Sequence, residues 1–373
     1  MKIGIDARMY GPAHSGLGRY VEQLIEQLQS IQSDDEYVVF LKQEAYDAFV
    51  LPNKKWKKVC TDVDWYGIAE QVLMPWYIRK EHVDIMHFPH WNVPILYRGP
   101  YVVTIHDLIM FHFSREDATT HGRFVYAIKD SVHRMLVQYV ARRAIYICTT
   151  SEFTKQDIVK TLHTQPKKIR VTYQAPFVYK NAESTPDADV LQKYNITGPY
   201  ILYVGNAYPH KNLKRLINAF QDIEQDGKTT YQLVLAGKQS PWYTAVEESV
   251  GYDDRIVCTG FVPDDDLDLL YQQARLYVFP SLYEGFGLPP LEAMVHGIPV
   301  VSSNASCLPE VLGSGAIYFD PEDIKDITRA LTMGIYDEEA RYMVRQNAKQ
   351  ELMRYSSKRL GQQTYRIYQE VLR

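Results

Sequence analysis

The chain has very little cysteine. Cys60, Cys148, Cys258 and Cys307 stand far apart in 373 residues, with no C-x-x-C pair. This excludes a disulfide framework and reads as buried thiols in a reducing compartment. Eleven histidines include no H-E-x-x-H or similar spacing, which argues against a structural or catalytic zinc. Excess charge of one sign is also missing. The 41 Lys and Arg against 45 Asp and Glu leave a formal net charge of -4, which argues against a general nucleic-acid binder. No apolar run approaches the ~20 residues that span a bilayer. The start Met1-Lys2-Ile3-Gly4-Ile5-Asp6 is strand-like at once and lacks the form of a signal peptide. The expectation is a chain that folds and stays in the cytoplasm. Tyrosine is abundant, at 29 residues, and amphipathic core edges are its expected place.

What is present is a rhythm. Apolar strand candidates at 2–6, 37–42, 83–88, 101–105, 145–150 and 169–173 alternate with helical stretches near 16–31, 67–80, 122–143 and 152–162. This is the pattern of a parallel sheet covered by helices. A proline-bearing polar stretch, 176–198, reads as a linker. A second series then begins, with strands at 200–205, 231–236, 255–259, 275–280, 298–303 and 315–319. Its helices fall near 211–223, 264–273, 288–296, 322–333 and 337–355. The expectation is α/β: two doubly wound units, 1–175 and 199–357, facing each other across a cleft. A last helix, 358–373, is expected to pack back on the first. Ligands in such sheets bind at the carboxyl ends of strands.

The motifs sit at those strand ends. Glu284-Gly285-Phe286-Gly287-Leu288-Pro289-Pro290-Leu291-Glu292 joins a strand to a helix, with prolines where a missing N–H costs little. A helix N-terminus there favours phosphate, and carboxylates on either side accept from sugar hydroxyls. The alternative is a buried glycine turn between two unrelated glutamates. Gly205-Asn206-Ala207-Tyr208-Pro209-His210-Lys211 leads into another helix, and a bound anion would relieve Lys211 of its conflict with the helix dipole. The Gly237-Lys238 and Gly260-Phe261 loops are candidates to flank a nucleoside base. Thr104-Ile105-His106-Asp107-Leu108 delivers His106 to a strand end, suited to hydroxyl contact or proton transfer. His87 and His90 at the neighbouring end either border an acceptor pocket or are ordinary loop packing. Ser15-Gly16-Leu17-Gly18 is a candidate phosphate turn or a plain structural one. A dinucleotide fingerprint fails for want of a third glycine and of an acid ending the second strand. Asp264-Asp265-Asp266 either binds metal or opens a helix, where acids suit the dipole. The basic run Lys54-Lys55-Trp56-Lys57-Lys58 is short. Arg123, Lys129, Arg134, Arg142 and Arg143 of helix 122–143, with Phe124, Tyr126, Met135, Leu136 and Tyr139, suit either an anionic membrane surface or an amphipathic helix on its sheet.

Taken in order, E-x₇-E at Glu284 to Glu292, the Gly205 to Lys211 step, Thr104 to Leu108, the Gly16 to Tyr20 loop and Thr150-Ser151-Glu152-Phe153-Thr154 resemble the retaining glycosyltransferases of family 4 (GT4, glycosyl transferases group 1) over nearly the whole chain. The resemblance implies the GT-B fold of two Rossmann-like domains, the first binding acceptor and the second nucleotide sugar. It implies that Glu284 binds the transferred sugar, with the backbone of Gly285, Phe286, Gly287 and Leu288 reaching sugar and diphosphate. Glu292 would bind the ribose and Lys211 would neutralise the leaving diphosphate. His106 would lie beside the sugar, and Gly16 would approach the phosphates. Gly205, Asn206 and Lys238 complete the donor set. The family usually pairs the lysine with an arginine near Asn206; a neutral residue here shifts the load to Lys211, the helix end or Lys238. Neither metal nor other cofactor is implied. Ile105-His106-Asp107-Leu108 and Tyr173-Gln174-Ala175-Pro176 resemble members that use GDP-mannose in surface polysaccharide or glycolipid assembly. A UDP-sugar donor and a non-catalytic nucleotide-sugar-binding protein are the alternatives. The implied partners are a donor, a glycan or lipid-linked glycan acceptor, and a peripheral membrane contact through the first domain.

Overall fold

The structure, a computed structural model, describes residues 1–11, 14–113, 123–177, 188–223 and 230–371. The chain divides into two units, Met1–Ala175 with Ser356–Arg373, and Pro176–Tyr355. In unit 1, strands β1 (Lys2–Asp6), β2 (Glu36–Leu41), β3 (Trp56–Cys60), β4 (Ile85–Phe88), β5 (Tyr101–Ile105), β6 (Tyr146–Thr149) and β7 (Ile169–Val171) form one sheet. All its pairings are parallel, in the order β3-β2-β1-β4-β5-β6-β7. Its helices are α1 (Ser15–Gln29), α2 (Gln43–Ala48), α3 (Ile68–Glu81), α4 (Ile109–His112), α5 (Arg123–Arg143) and α6 (Glu152–Leu162). Unit 2 holds α7 (Ala188–Lys193), then β8 (Tyr200–Val204), β9 (Gln232–Ala236), β10 (Ile256–Gly260), β11 (Leu276–Phe279), β12 (Val300–Ser303) and β13 (Ala316–Phe319). These pair in parallel in the order β10-β9-β8-β11-β12-β13. The helices between and after them are α8 (Leu213–Gln221), α9 (Pro241–Val250), α10 (Asp264–Gln273), α11 (Leu288–Val295), α12 (Leu308–Leu312), α13 (Ile324–Tyr336) and α14 (Glu338–Leu352).

Both sheets are wound in the same way. The first strand of each unit lies centrally, the next two go to one side, and the chain then crosses to the other. A parallel sheet is covered on both faces, so its strands are apolar throughout: every residue of β5 and of β9 is buried. The order reverses between β1 and β4, and again between β8 and β11. At such a reversal the loops leaving the two strands part and open a crevice at their carboxyl ends.

The final helix, α15 (Ser357–Val371), joins unit 1. Leu360, Ile367 and Tyr368 share a core with Tyr20, Leu24 and Leu28 of α1. Gly361 allows the close approach, since a Cβ there would stand 2.5 Å from the Cβ of Gln27. A buried polar chain crosses the same layer. Tyr368 Oη meets His87 Nδ1 at 2.6 Å, His87 Nε2 meets Thr104 Oγ1 at 2.8 Å, and Thr104 Oγ1 meets Tyr20 Oη at 3.2 Å. Burial lowers the His87 pKa to about 3, so its ring stays neutral.

Two stretches singled out in the sequence take the following places. The basic run 54–58 is mostly edge strand β3: Trp56 stacks on Tyr37 at 4.2 Å, and Lys57 reaches Glu81 at 2.6 Å. Lysines along an edge strand discourage pairing with another chain. Of the linker stretch 176–198, residues 178–187 lie outside those described, and α7 follows, with Lys193 and Tyr194 both bonded to Asp266 at 2.6 Å.

Tyr368→Phe removes the partner of a buried imidazole nitrogen, which costs about 1–3 kcal/mol. Four of the five tryptophans lie in unit 1. Tryptophan fluorescence during urea unfolding is therefore expected to show an earlier transition in this variant; an unchanged midpoint would contradict the role given to α15.

Candidate active site

Lys211 and Glu284 come from the two strand exits that flank the reversal in unit 2, after β8 and β11. Beyond β8 the chain passes Gly205 and makes a tight turn, Pro209–Lys211, before Asn212. Asn212 is left-handed (φ 61°) at the start of α8, and its Nδ2 donates to the carbonyls of Pro280 and Pro321. Leu282 N also donates to the His210 carbonyl at 2.7 Å. The two exits are thereby sewn together, and Lys211 Nζ meets Glu284 Oε1 at 2.5 Å. Both side chains are nearly buried, 13% and 10% exposed. The ammonium also lies 5.4 Å from the centre of the Phe279 ring. Lys211 thus precedes α8 rather than standing in it, and a carboxylate already answers the charge conflict expected of it.

Three buried tyrosines fix the β8 exit from behind. Tyr277, Tyr243 and Tyr203 donate to the successive carbonyls of Val204, Gly205 and Asn206, at 3.4, 3.1 and 2.7 Å. Gly237 makes room for this, because a Cβ there would stand 2.0 Å from the Gly205 oxygen. Asn206 and Lys238 are exposed beside the exit.

Past Glu284, whose N–H donates to Ser306 Oγ at 3.0 Å, the turn Gly285–Gly287 is buried. Gly287 takes φ 91° and starts α11 at Leu288, with prolines in the first turn. Glu292 is also buried, accepts from Tyr271 Oη at 3.3 Å and lies on this helix. The two glutamates therefore flank one helix start. Asp264 to Asp266 open α10, as acids at a helix start do. Among the described residues no group of three or more His, Cys, Asp or Glu is arranged to hold a metal ion.

In unit 1, His106 follows β5, but both its ring nitrogens are engaged. Nε2 lies 2.9 Å from the Pro89 carbonyl, which requires an N–H there, and Nδ1 then accepts from Gln174 Nε2 at 3.0 Å. Tyr20 stands edge-on at 4.6 Å, and burial lowers the pKa to about 4. The ring is a fixed neutral wall, and proton transfer through it would require one of these bonds to open. Asp107 accepts from Ile109 N at 2.9 Å. Gly16 is exposed in the first turn of α1, with open space where its Cβ would be. Gly18 is the sterically required glycine: a Cβ there would lie 2.0 Å from the Gly11 oxygen.

A depression of about 260 Å³ opens at the reversal of this sheet, lined by Asp6, Leu17, Trp65, His90 and Asn92 among others. His90 Nδ1 is buried without a hydrogen-bond partner among the described residues, and burial lowers the pKa to about 3. Beneath, Arg8 is fully buried and donates twice to Asp6 and once to Glu70, at 2.8, 2.7 and 2.6 Å. Burial opposes its charge, yet the two carboxylates raise its pKa further. Asn92 Nδ2 donates to the same Glu70 oxygen at 2.8 Å.

The sequence matches two family profiles, one described as Glycosyltransferase Family 4 over residues 14–175 and one as Glycosyl transferases group 1 over 189–351. The chain belongs to glycosyltransferase family 4. A nucleotide-sugar donor and a separate acceptor are therefore its substrates. This glycosyltransferase is 28% identical to O-antigen chain mannosyltransferase B of Escherichia coli, over 95% of this chain and 96% of that one. Sucrose-phosphate synthase from Thermosynechococcus elongatus matches with a TM-score of 0.75 at 18% identity, covering 100% and 99% of the two chains. Anabaena HepE in complex with UDP and glucose matches with a TM-score of 0.74 at 16% identity, covering 99% and 100%. The fold of the glycosyltransferase is GT-B.

The sequence reading missed the tyrosine supports, Gly18 and the Arg8 network. Tyr203 and Tyr277 are marked by a phenol inside an apolar strand run. Arg8 has a local partner in Asp6, but its second, Glu70, is 62 residues away and leaves no mark near it in the sequence.

The neutral histidines give a pH dependence. His87, His90 and His106 have folded pKa values lowered to about 3, 3 and 4, against about 6.5 when unfolded. The unfolded chain binds the extra protons, so this stability is present above pH ~6.5 and lost as pH falls toward the folded values. Urea midpoints followed by tryptophan fluorescence are expected to fall between pH 6.5 and 4. A flat profile there would rule out neutral burial of the three rings.

Proposed function

We propose that this chain is a retaining glycosyltransferase that moves mannose from GDP-mannose to a glycan or lipid-linked glycan in surface polysaccharide synthesis. The Lys211–Glu284 pair at the strand reversal of unit 2 carries the site assignment. Departure of a nucleoside diphosphate builds negative charge, which a fixed ammonium and a helix start stabilise. Lys211 supplies the cation, with Lys238 exposed nearby to add to it and Asn206 remaining neutral. Glu284 exchanges part of its ion pair for hydroxyls of the transferred sugar, while Glu292 takes the ribose. Gly205 and the backbone of Gly285, Phe286, Gly287 and Leu288 approach sugar and diphosphate, and Gly16 approaches from the first turn of α1. His106 acts as a neutral wall beside the sugar. His90, with Trp65 and Asn92, lines the acceptor side of unit 1. The relation to an O-antigen mannosyltransferase over nearly its whole length supports mannose and a polysaccharide acceptor. The HepE complex, which holds UDP and glucose in the same fold, keeps a UDP-sugar as the second reading.

Unit 1 also presents a surface suited to an anionic membrane. Ile68, Val72 and Trp76 recur every four residues on α3 and are exposed, Ile68 by 89%. Ile95 and Leu96, then Ile128, Val132 and Met135 of α5, are exposed as well. Hydrogen bonds from Ile95 N to Gln71 and from Arg98 to Tyr139 tie these three segments together. Arg79, Lys80, Arg98, Lys129 and Arg142 are exposed among them, and Lys80 lies 5.5 Å from the Trp76 ring centre. Apolar side chains interleaved with basic ones suit anionic headgroups. The face differs from that expected of α5. Leu136 and Tyr139 pack on the core, Arg134 is held by Asp130, and Arg123, Phe124 and Tyr126 lie outside the described side chains. Among the described residues no helix is long and apolar enough to cross a membrane.

Removing one partner of a nearly buried ion pair costs about 3–5 kcal/mol. Lys211→Met and Glu284→Gln are therefore expected to lower the melting temperature singly. The double variant should recover much of it yet remain inactive in GDP-mannose turnover. Transfer by the double variant at the wild-type rate would sink the site assignment. A thermal-shift panel of nucleotide sugars should show its largest rise with GDP-mannose; a larger rise with a UDP-sugar moves the donor to the second reading, and binding without turnover makes the protein a sensor.

Replacing Ile68, Val72 and Trp76 by serine should leave donor binding unchanged and abolish co-sedimentation with anionic vesicles. Unaltered sedimentation would place the contact elsewhere.

A further inference from the structure

Unit 2 carries a second polar recess, at the opposite edge of its sheet. Lys211 and Glu284 follow the carboxyl ends of β8 and β11, whereas Arg275 immediately precedes β11 and Pro299 immediately precedes β12. The recess has about 470 Å³ of open volume and is lined by Arg275, His296, Pro299, Arg341 and Arg345, with Gln272 at the end of α10. Arg341 and Arg345 are one helical turn apart on α14.

The charges are unbalanced. Arg275, Arg341 and Arg345 share one carboxylate, Glu338: Arg275 at 3.3 Å, Arg345 at 3.6 Å, and Arg341 in direct contact. Glu338 is itself 67% exposed, whereas the Arg341 side chain is 4% exposed. Arg341 also donates to the Gly334 and Ile335 carbonyls at the end of α13, yet its buried Nε has no hydrogen-bond partner among the described residues. Asp268 of α10 is occupied by two of the lining residues, His296 through Nε2 at 2.7 Å and Gln272 through Nε2 at 2.8 Å. The arrangement is therefore three guanidinium groups around one exposed acid. Arginine forks match phosphate oxygens, and several together hold a multiply charged anion better than one glutamate does.

We infer that this recess binds a phosphate-bearing anion of the diphosphate class, with Glu338 standing in for it when the site is empty. The site is separate from the donor site, and the two lie at opposite ends of α11. His296, which lines the recess, bonds through Nδ1 to the Glu292 carbonyl at 2.8 Å, so an occupant would act on the helix that carries Glu292.

Isothermal titration calorimetry of the full chain with inorganic pyrophosphate, in phosphate-free buffer, tests this. Arg275 and Arg345 are 43% and 37% exposed, so their replacement should spare the fold, and unchanged melting verifies it. The double variant Arg275→Ala/Arg345→Ala is expected to bind pyrophosphate at least about tenfold more weakly, the loss of one charged hydrogen bond or more. Glu338→Gln should bind it more tightly, since the competing carboxylate is gone. Lys211→Met should retain this binding, which separates failure here from failure at the donor site. Repeating the titration of Lys211→Met with GDP identifies the source: equal affinities assign free diphosphate, and tighter GDP assigns the released nucleotide. No binding by wild type at millimolar pyrophosphate, or binding lost with Lys211 and indifferent to the two arginines, overturns the inference.

Discussion

Taking an ammonium and a carboxylate nearly out of water is costly, and their attraction offsets that cost only when geometry holds them together. The Lys211–Glu284 pair meets this condition because two strand exits are fastened to each other through Asn212 and Leu282. The pair in turn explains why the surrounding turns are so constrained. Asn212 must be left-handed to reach two carbonyls, and Gly287 must be left-handed to start α11 immediately after Glu284. A diphosphate brought to Lys211 competes with Glu284 for the same ammonium. On the proposed assignment, donor binding and release of this internal bond would be one equilibrium.

The tyrosines extend the same logic inward. A phenol in a parallel sheet must find an acceptor, since its hydroxyl is otherwise stranded in an apolar layer. Tyr203 and Tyr277 of the sheet, with Tyr243 of α9, find it in the backbone at the end of β8 and just past it, where carbonyls are on offer. The bonds satisfy the phenols and at the same time fix the loop before it reaches Lys211. This places many of the tyrosines in the interior rather than at core edges: Tyr101, Tyr200, Tyr203, Tyr243, Tyr271, Tyr277 and Tyr368 are all fully buried.

The repeating apolar pattern was enough to read both sheets, because a strand buried on two faces admits few polar residues. It placed β5 at 101–105 as found, and β11 at 275–280 against the observed Leu276–Phe279. Strand β3 escaped that reading because it is an edge, where lysine is favoured and the apolar signal is weakest. The short helix α12 escaped because five residues hold too little periodicity. Glu284, Lys211 and Glu292 were marked in the sequence by their motifs, but the meeting of Lys211 with Glu284 was not, since they lie 73 residues apart and Asn212 joins their exits through Pro280 and Pro321, 68 and 109 residues away. Nor was the state of His106: Gln174 and Pro89, which occupy its nitrogens, lie 68 and 17 residues away. Gly16 and Gly18 look alike in the sequence, and only the return of the chain at Gly11 distinguishes them.

The two units share one topology and differ in what they do with charge at the reversal of the sheet. In unit 1 the cation Arg8 is fully buried and held by two carboxylates, Asp6 and Glu70. The histidines around it are held neutral and add no positive charge. In unit 2 the cation is matched by one carboxylate, stands beside a helix start and keeps some access to solvent. An incoming anion gains there from both lysine and helix, and loses only the share of the lysine that Glu284 held. The same winding therefore ends in two differently charged strand exits, and the proposed function gives hydroxyls to the first and diphosphate to the second.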